Sequence, residues 1–137
     1  METDKEKISN EKLFKEIENM TGFSKHNNFK FVEIKEKSAI IRADLTENSM
    51  NPYKIAHGGL IFGLGDMAMG MATKSTGRNA VTLSANITYL KPVVGEYLLA
   101  KAEVIKNGKT TAYVRCDIYN DKDVQVAAMD SNYYYIS

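Results

Sequence analysis

Apolar residues recur along this chain with two different periods. Leu13, Phe14, Ile17 and Met20 fall at three- and four-residue spacing, which predicts a short amphipathic helix capped at Ser9 or Asn10 and stopped at Gly22. Residues 29–35 (Phe-Lys-Phe-Val-Glu-Ile-Lys) alternate approximately, as a half-buried strand does. A turn at 36–38 leads to a second strand over 39–45, and polar residues 46–51 form a loop ending at Pro52. From 57 to 75 the chain is too long and too rich in Met and Ala for a strand, so a helix is predicted there. Beyond Gly77, strand-like runs follow at 80–90, 96–106, 110–119 and 124–136. Pro92 and Gly95 separate the first two. Asn107-Gly108 predicts a type I′ hairpin, because both residues tolerate positive φ, and 120–123 makes the final turn.

The predicted order is one helix, two strands, a long helix and four strands. Consecutive hairpins favour an antiparallel sheet, which makes the class α+β and not doubly wound α/β. One long apolar helix against one such sheet buries both. No internal repeat or linker interrupts the pattern. Residues 1–24 form a charged segment and the short helix, residues 25–137 the main unit, and the 137 residues fit a single domain.

Composition narrows the classes. The formal net charge is +1, from 18 Lys and Arg against 17 Asp and Glu, whereas a nucleic-acid binder carries a basic stripe. No window approaches the roughly 18–20 apolar residues of a membrane span, and Met1 to Asn10 lack the apolar run of a secretory signal. The lone Cys116 has no internal disulfide partner, so a reducing cytoplasm is the expected compartment.

The long helix carries the chemistry. Its apolar residues go all the way round, as in a buried helix. Gly63, Gly65 and Gly70 interrupt it, each costing about 1 kcal/mol relative to Ala, an expense that fits a close approach by another backbone or a ligand. Between Gly58 and Thr73 the only formal charge is Asp66. A buried carboxylate needs hydrogen bonds, so Asp66 is either a structural acceptor or a general base that orients water. His57-Gly58-Gly59 stands where the helix begins, at N–H groups that have no internal partner and carry the positive end of the macrodipole. Glycine admits a ligand there, and an N–H aimed at a carbonyl oxygen is an oxyanion hole. His57 by itself fits a helix cap equally well. Gly58 and Asp66 are eight residues apart, about 12 Å along a helix. One chain therefore cannot bring both to the same carbonyl, and a site that uses both needs two copies.

Other arrangements are missing. There is no Gly-x-Ser-x-Gly elbow, Walker A loop or paired-glycine fingerprint. His26, His57 and Cys116 have no metal-ligand spacing, and no signal points to a cofactor. Cys116 reads as packing, Asp117 as solvated or paired with a neighbouring strand, and Tyr133-Tyr134-Tyr135 as a strand with rings on alternating faces.

Asn51-x5-His57-Gly58-Gly59-x6-Asp66, followed by 81–92 (Val-Thr-Leu-Ser-Ala-Asn-Ile-Thr-Tyr-Leu-Lys-Pro), resembles the signature of hotdog-fold thioesterases of the phenylacetate-degradation (PaaI-like) type. The resemblance covers roughly 25–136. It implies an acyl-CoA thioesterase acting on a small or medium acyl group, aromatic ones included. The implied fold is a five- or six-stranded antiparallel sheet wrapped around one helix. It also implies homodimers joined edge to edge, which often pair into tetramers. By the same resemblance Gly58 donates its N–H to the thioester oxygen, with Asn51 near the thioester and His57 fixing the loop. The partner's Asp66 activates water, or attacks directly, and Ser84 positions that water beside Asp66. Where the family often has Leu-Ala-Asp, this chain has Leu64-Gly65-Asp66, and the smaller residue would widen an acyl tunnel. A hotdog hydratase and a non-catalytic acyl-CoA-binding domain stand as alternatives, although no histidine follows Asp66 as hydratases of this fold require.

Overall fold

Six strands and two helices account for most of the computed structural model, which describes residues 22–137. The helix predicted over 9–20 lies outside the described residues. A short helix α1 (Phe23–His26) leads to β1 (Phe29–Lys35) and β2 (Ser38–Asp44). A 3-10 turn (Glu47–Ser49) and a loop then lead to α2 (Gly58–Lys74). Strands β3 (Ala80–Tyr89), β4 (Tyr97–Asn107), β5 (Thr111–Asn120) and β6 (Gln125–Tyr135) complete the chain. All pairings are antiparallel, and the strand order is β1-β2-β4-β5-β6-β3. This is the expected α+β hotdog arrangement, with α2 laid across one face of the sheet. Because the chain crosses along α2 between β2 and β3, β3 ends at the far edge of the sheet.

Strand alternation decides which side chains meet the helix. Ala39, Ile41 and Ala43 of β2, Ala100 and Ala102 of β4, and Ala112 of β5 are all buried. Small residues on the sheet let α2 sit close, and the helix supplies the bulk with Leu60, Ile61, Leu64 and Met69. The far side of α2 is less covered than its all-apolar sequence predicts. Phe62, Met67 and Met71 are only half-buried, Phe23 lies over Gly63, and the Ser24 hydroxyl reaches Met67. Among the described residues, no helix is long and apolar enough to cross a membrane.

The helix glycines have separate reasons. A Cβ at Gly65 would lie 2.0 Å from Met129 Sδ and 3.2 Å from Ile118 Cδ1, so β5 and β6 already fill that notch. The space left by the small residue before Asp66 is thus occupied by Met129 and opens no acyl tunnel, which corrects that expectation. At Gly70 the nearest atoms stand 3.8 Å away, an ordinary contact. Gly70→Ala should therefore stabilise the fold by up to about 1 kcal/mol through helix propensity. In Gly65→Ala the same gain is outweighed by overpacking of about 1–3 kcal/mol. Urea midpoints should move in opposite directions for the two variants, and a shared direction would contradict this packing.

The β4–β5 connection differs from its prediction. Neither Asn107 nor Gly108 takes a left-handed φ, and three residues, 108–110, join the strands. Glycine is needed at 108 for proximity, since a Cβ there would lie 2.7 Å from the Thr111 carbonyl oxygen. Asn107 accepts a hydrogen bond from the Tyr135 hydroxyl. Left-handed backbone occurs instead at Lys37 in the β1–β2 turn, φ 67°, and at Asp123 before β6, φ 60°.

Candidate active site

The loop before α2 builds one half of the site. Asn51 Oδ1 accepts from the backbone N–H groups of Tyr53 (2.9 Å) and Ile55 (3.4 Å), closing an Asx turn in which Lys54 has φ 62°. The chain then enters the helix at His57, whose extended backbone (φ −63°, ψ 133°) makes it the N-cap. His57 Nδ1 accepts from the Gly59 N–H at 2.9 Å, which leaves Nε2 to carry the proton of the neutral ring. The His57 carbonyl accepts from the Leu60 and Ile61 N–H groups. The first-turn donors are therefore used up except at Gly58, whose N–H meets no acceptor among the described residues.

That N–H borders a cleft of about 390 Å³, lined by Asn51 and Gly58 on one side and by Tyr89, Lys91 and Pro92 on the other, with Ile61 among its apolar wall residues. The volume suits a small-molecule site. Tyr89 donates its hydroxyl to the Gly58 carbonyl at 2.7 Å, tying β3 to the first turn of the helix, and partial burial raises its pKa. A Cβ at Gly58 would stand 3.1 Å from that hydroxyl, so glycine is favoured on both sides of the peptide.

Asp66 lies two turns further along α2, outside the cleft lining. Its Oδ1 accepts from Tyr133 (2.6 Å) on β6 and from Thr82 (2.9 Å) on β3. No described donor reaches Oδ2, and no described cation forms a salt bridge with the carboxylate. One oxygen is held and the other is open, the arrangement a proton acceptor needs.

Within the chain, Asn51, His57 and Gly58 come together, while Asp66 stands apart from them. Ser84 joins neither group. It is exposed, and its Oγ accepts from Asn132 Nδ2 at 3.3 Å. The cause is a bulge at Leu83: Thr82 pairs with Tyr133, whereas Ser84 pairs with Asn132, so the inserted residue turns Ser84 to the outer face. Within the chain the β3 hydroxyl beside Asp66 is that of Thr82, which shares Oδ1 with the Tyr133 hydroxyl of β6. Thr82 and Tyr89 were not singled out from sequence, and Tyr133 was read only as one of three strand tyrosines with rings on alternating faces, not as an acid's partner. Cys116 is buried, with burial pushing its thiol pKa up, and Asp117 accepts from Gln125 at 2.9 Å. Among the described residues no cluster of His, Cys, Asp and Glu is placed to hold a metal ion.

Comparison with known proteins identifies the family. Residues 53–127 match the family model of the thioesterase superfamily, and the chain belongs to that family. That membership makes it a thioester hydrolase. The fold is similar to the E. coli PaaI protein of the phenylacetic acid degradation operon (TM-score 0.88, 26% identity, 94% of both chains). It is also similar to smu.793 of Streptococcus mutans, solved bound to acetyl CoA (TM-score 0.79, 32% identity, 87% of this chain and 94% of that one). Human acyl-coenzyme A thioesterase 13 is 37% identical over 84 residues, 59% of this chain and 60% of that protein.

Proposed function

We propose that the protein hydrolyses small or medium acyl-CoA thioesters, aromatic acyl groups included, in sites shared between two copies of the chain. The observation that carries this reading is the unused Gly58 N–H at the start of α2, open to a cleft, combined with an Asp66 whose Oδ2 is free. The thioester oxygen accepts from Gly58, and the positive end of the helix favours the charge that develops on it. Asn51 keeps its carboxamide NH2 free toward the cleft while its oxygen holds the loop, and His57 keeps the Gly59 N–H out of competition. Water adds to the carbonyl carbon as Asp66 Oδ2 takes its proton. The tetrahedral species then expels the CoA thiolate, which takes that proton back from Asp66 and leaves as the thiol, and the acid is released. Lys91 on the cleft rim supplies positive charge for the CoA phosphates.

Edge geometry favours the shared site. Among the described residues β3 has no strand on its outer side, and Val81, Leu83 and Tyr89 along it are about half exposed. It carries Thr82, which holds Asp66, and Tyr89, which holds Gly58. Antiparallel pairing of two β3 strands about the midpoint of 85 and 86 sets Thr82 opposite the partner's Tyr89. That places the Gly58 half of one copy against the Asp66 half of the other.

Steady-state release of CoA thiol from a panel of acyl-CoA thioesters tests the reading and ranks the acyl groups. Turnover of short, medium or arylacetyl members is expected. Acyl-CoA binding without thiol release would make this a binding domain, and water addition to an enoyl-CoA would make it a hydratase.

A further inference from the structure

The hydrogen bond from the buried Tyr133 hydroxyl to Asp66 has no part in the reaction as written above. Residues 129, 131, 133 and 135 of β6 face α2, and Tyr133 is 2% exposed. Its hydroxyl has one proton and two acceptors on the same residue: Asp66 Oδ1 at 2.6 Å and the Asp66 backbone oxygen at 2.8 Å. Burial, together with the hydrogen bond and charge of Asp66, raises the Tyr133 pKa, so it remains a donor. Thr82 is the second donor on Oδ1.

We infer that Tyr133 is a positioning residue for hydrolysis: by occupying Oδ1 it aims Oδ2 at the attacking water, and it turns to the Asp66 backbone oxygen as the carboxylate gains its proton. A hydroxyl with a fixed single acceptor would resist that proton uptake, because the bond it makes to a carboxylate is stronger than to the neutral acid. With a second acceptor within reach, the buried hydroxyl stays satisfied in both charge states, and Asp66 changes charge without leaving an orphaned group. The inference rests on Asp66 being the base proposed above.

Tyr133→Phe removes only the hydroxyl and keeps the ring between α2 and β6. It should lower kcat roughly 10- to 100-fold, the range for one hydrogen bond to a charged group, with KM nearly unchanged. A double variant separates positioning from packing. In an Asp66→Asn background, Tyr133→Phe should cause little further loss, since its effect passes through the carboxylate. Near-normal kcat in Tyr133→Phe, or a full additional loss in the Asp66→Asn background, would overturn the inference while leaving the base intact. Normal turnover in Asp66→Asn alone would instead overturn the underlying reading and this inference with it.

Discussion

Asp66→Ala should yield a folded protein whose kcat is at least about 100-fold lower, the lower end for a positioned base. The fold should survive for a specific reason. Removing the carboxylate deprives Tyr133 of one acceptor, but the Asp66 backbone oxygen 2.8 Å away still takes its proton. The space vacated by the carboxylate admits a water that takes the Thr82 proton. No buried donor is orphaned, so the loss of rate cannot be attributed to a damaged core. Asp66→Asn preserves shape and an oxygen for Tyr133 while removing the charge, and it should be comparably slow. Circular dichroism and the urea midpoint check the fold, and thiol release checks the rate. If either variant turns over normally, Asp66 is a structural acceptor and the proposed mechanism fails.

Mixing two inactive variants should restore activity. Gly58→Pro removes the oxyanion donor at a position where proline is tolerated: Gly58 is the first helical residue and its N–H makes no intrachain bond. The extended backbone of His57, ψ 133°, suits a residue that precedes proline. Tyr89 must yield slightly, because a Cβ at 58 stands 3.1 Å from its hydroxyl. Gly58→Pro and Asp66→Ala should each be nearly inactive alone. After unfolding together and refolding, a mixed dimer has one site with both defects and one with neither. With random pairing about half the dimers are mixed and about half their sites work, so about one quarter of normal activity should return if sites act independently. Should mass measurement confirm mixed dimers while no activity returns, the two residues do not come from different chains.

The periodicities located the elements well because burial follows them directly. β1 spans the predicted 29–35, and the helix predicted over 57–75 runs from Gly58 to Lys74. The helix start at His-Gly-Gly was legible because helix-start chemistry is local in sequence, whereas Asn51 entered only with the family resemblance. Partners of Asp66 were not, since Thr82 and Tyr133 come from the two strands paired at the far edge of the sheet, 16 and 67 residues away. Ser84 was expected beside Asp66 from the family resemblance, and a resemblance does not reveal the bulge at Leu83 that turns it outward. At Asn107-Gly108 the turn itself was legible but its type was not: a left-handed pair and a close approach to a carbonyl both select glycine.

The notch at Gly65 ties two distant positions together over evolutionary time. Met129 Sδ occupies the volume that a side chain at 65 would need. Neither position can drift alone: alanine at 65 is tolerated once a thinner residue stands at 129, and a thinner residue at 129 first leaves a void until 65 grows. Lineages should cross between the glycine and alanine forms of this helix in paired steps. In an alignment of relatives the two columns should covary, with methionine at 129 concentrated among chains that carry glycine before the acid.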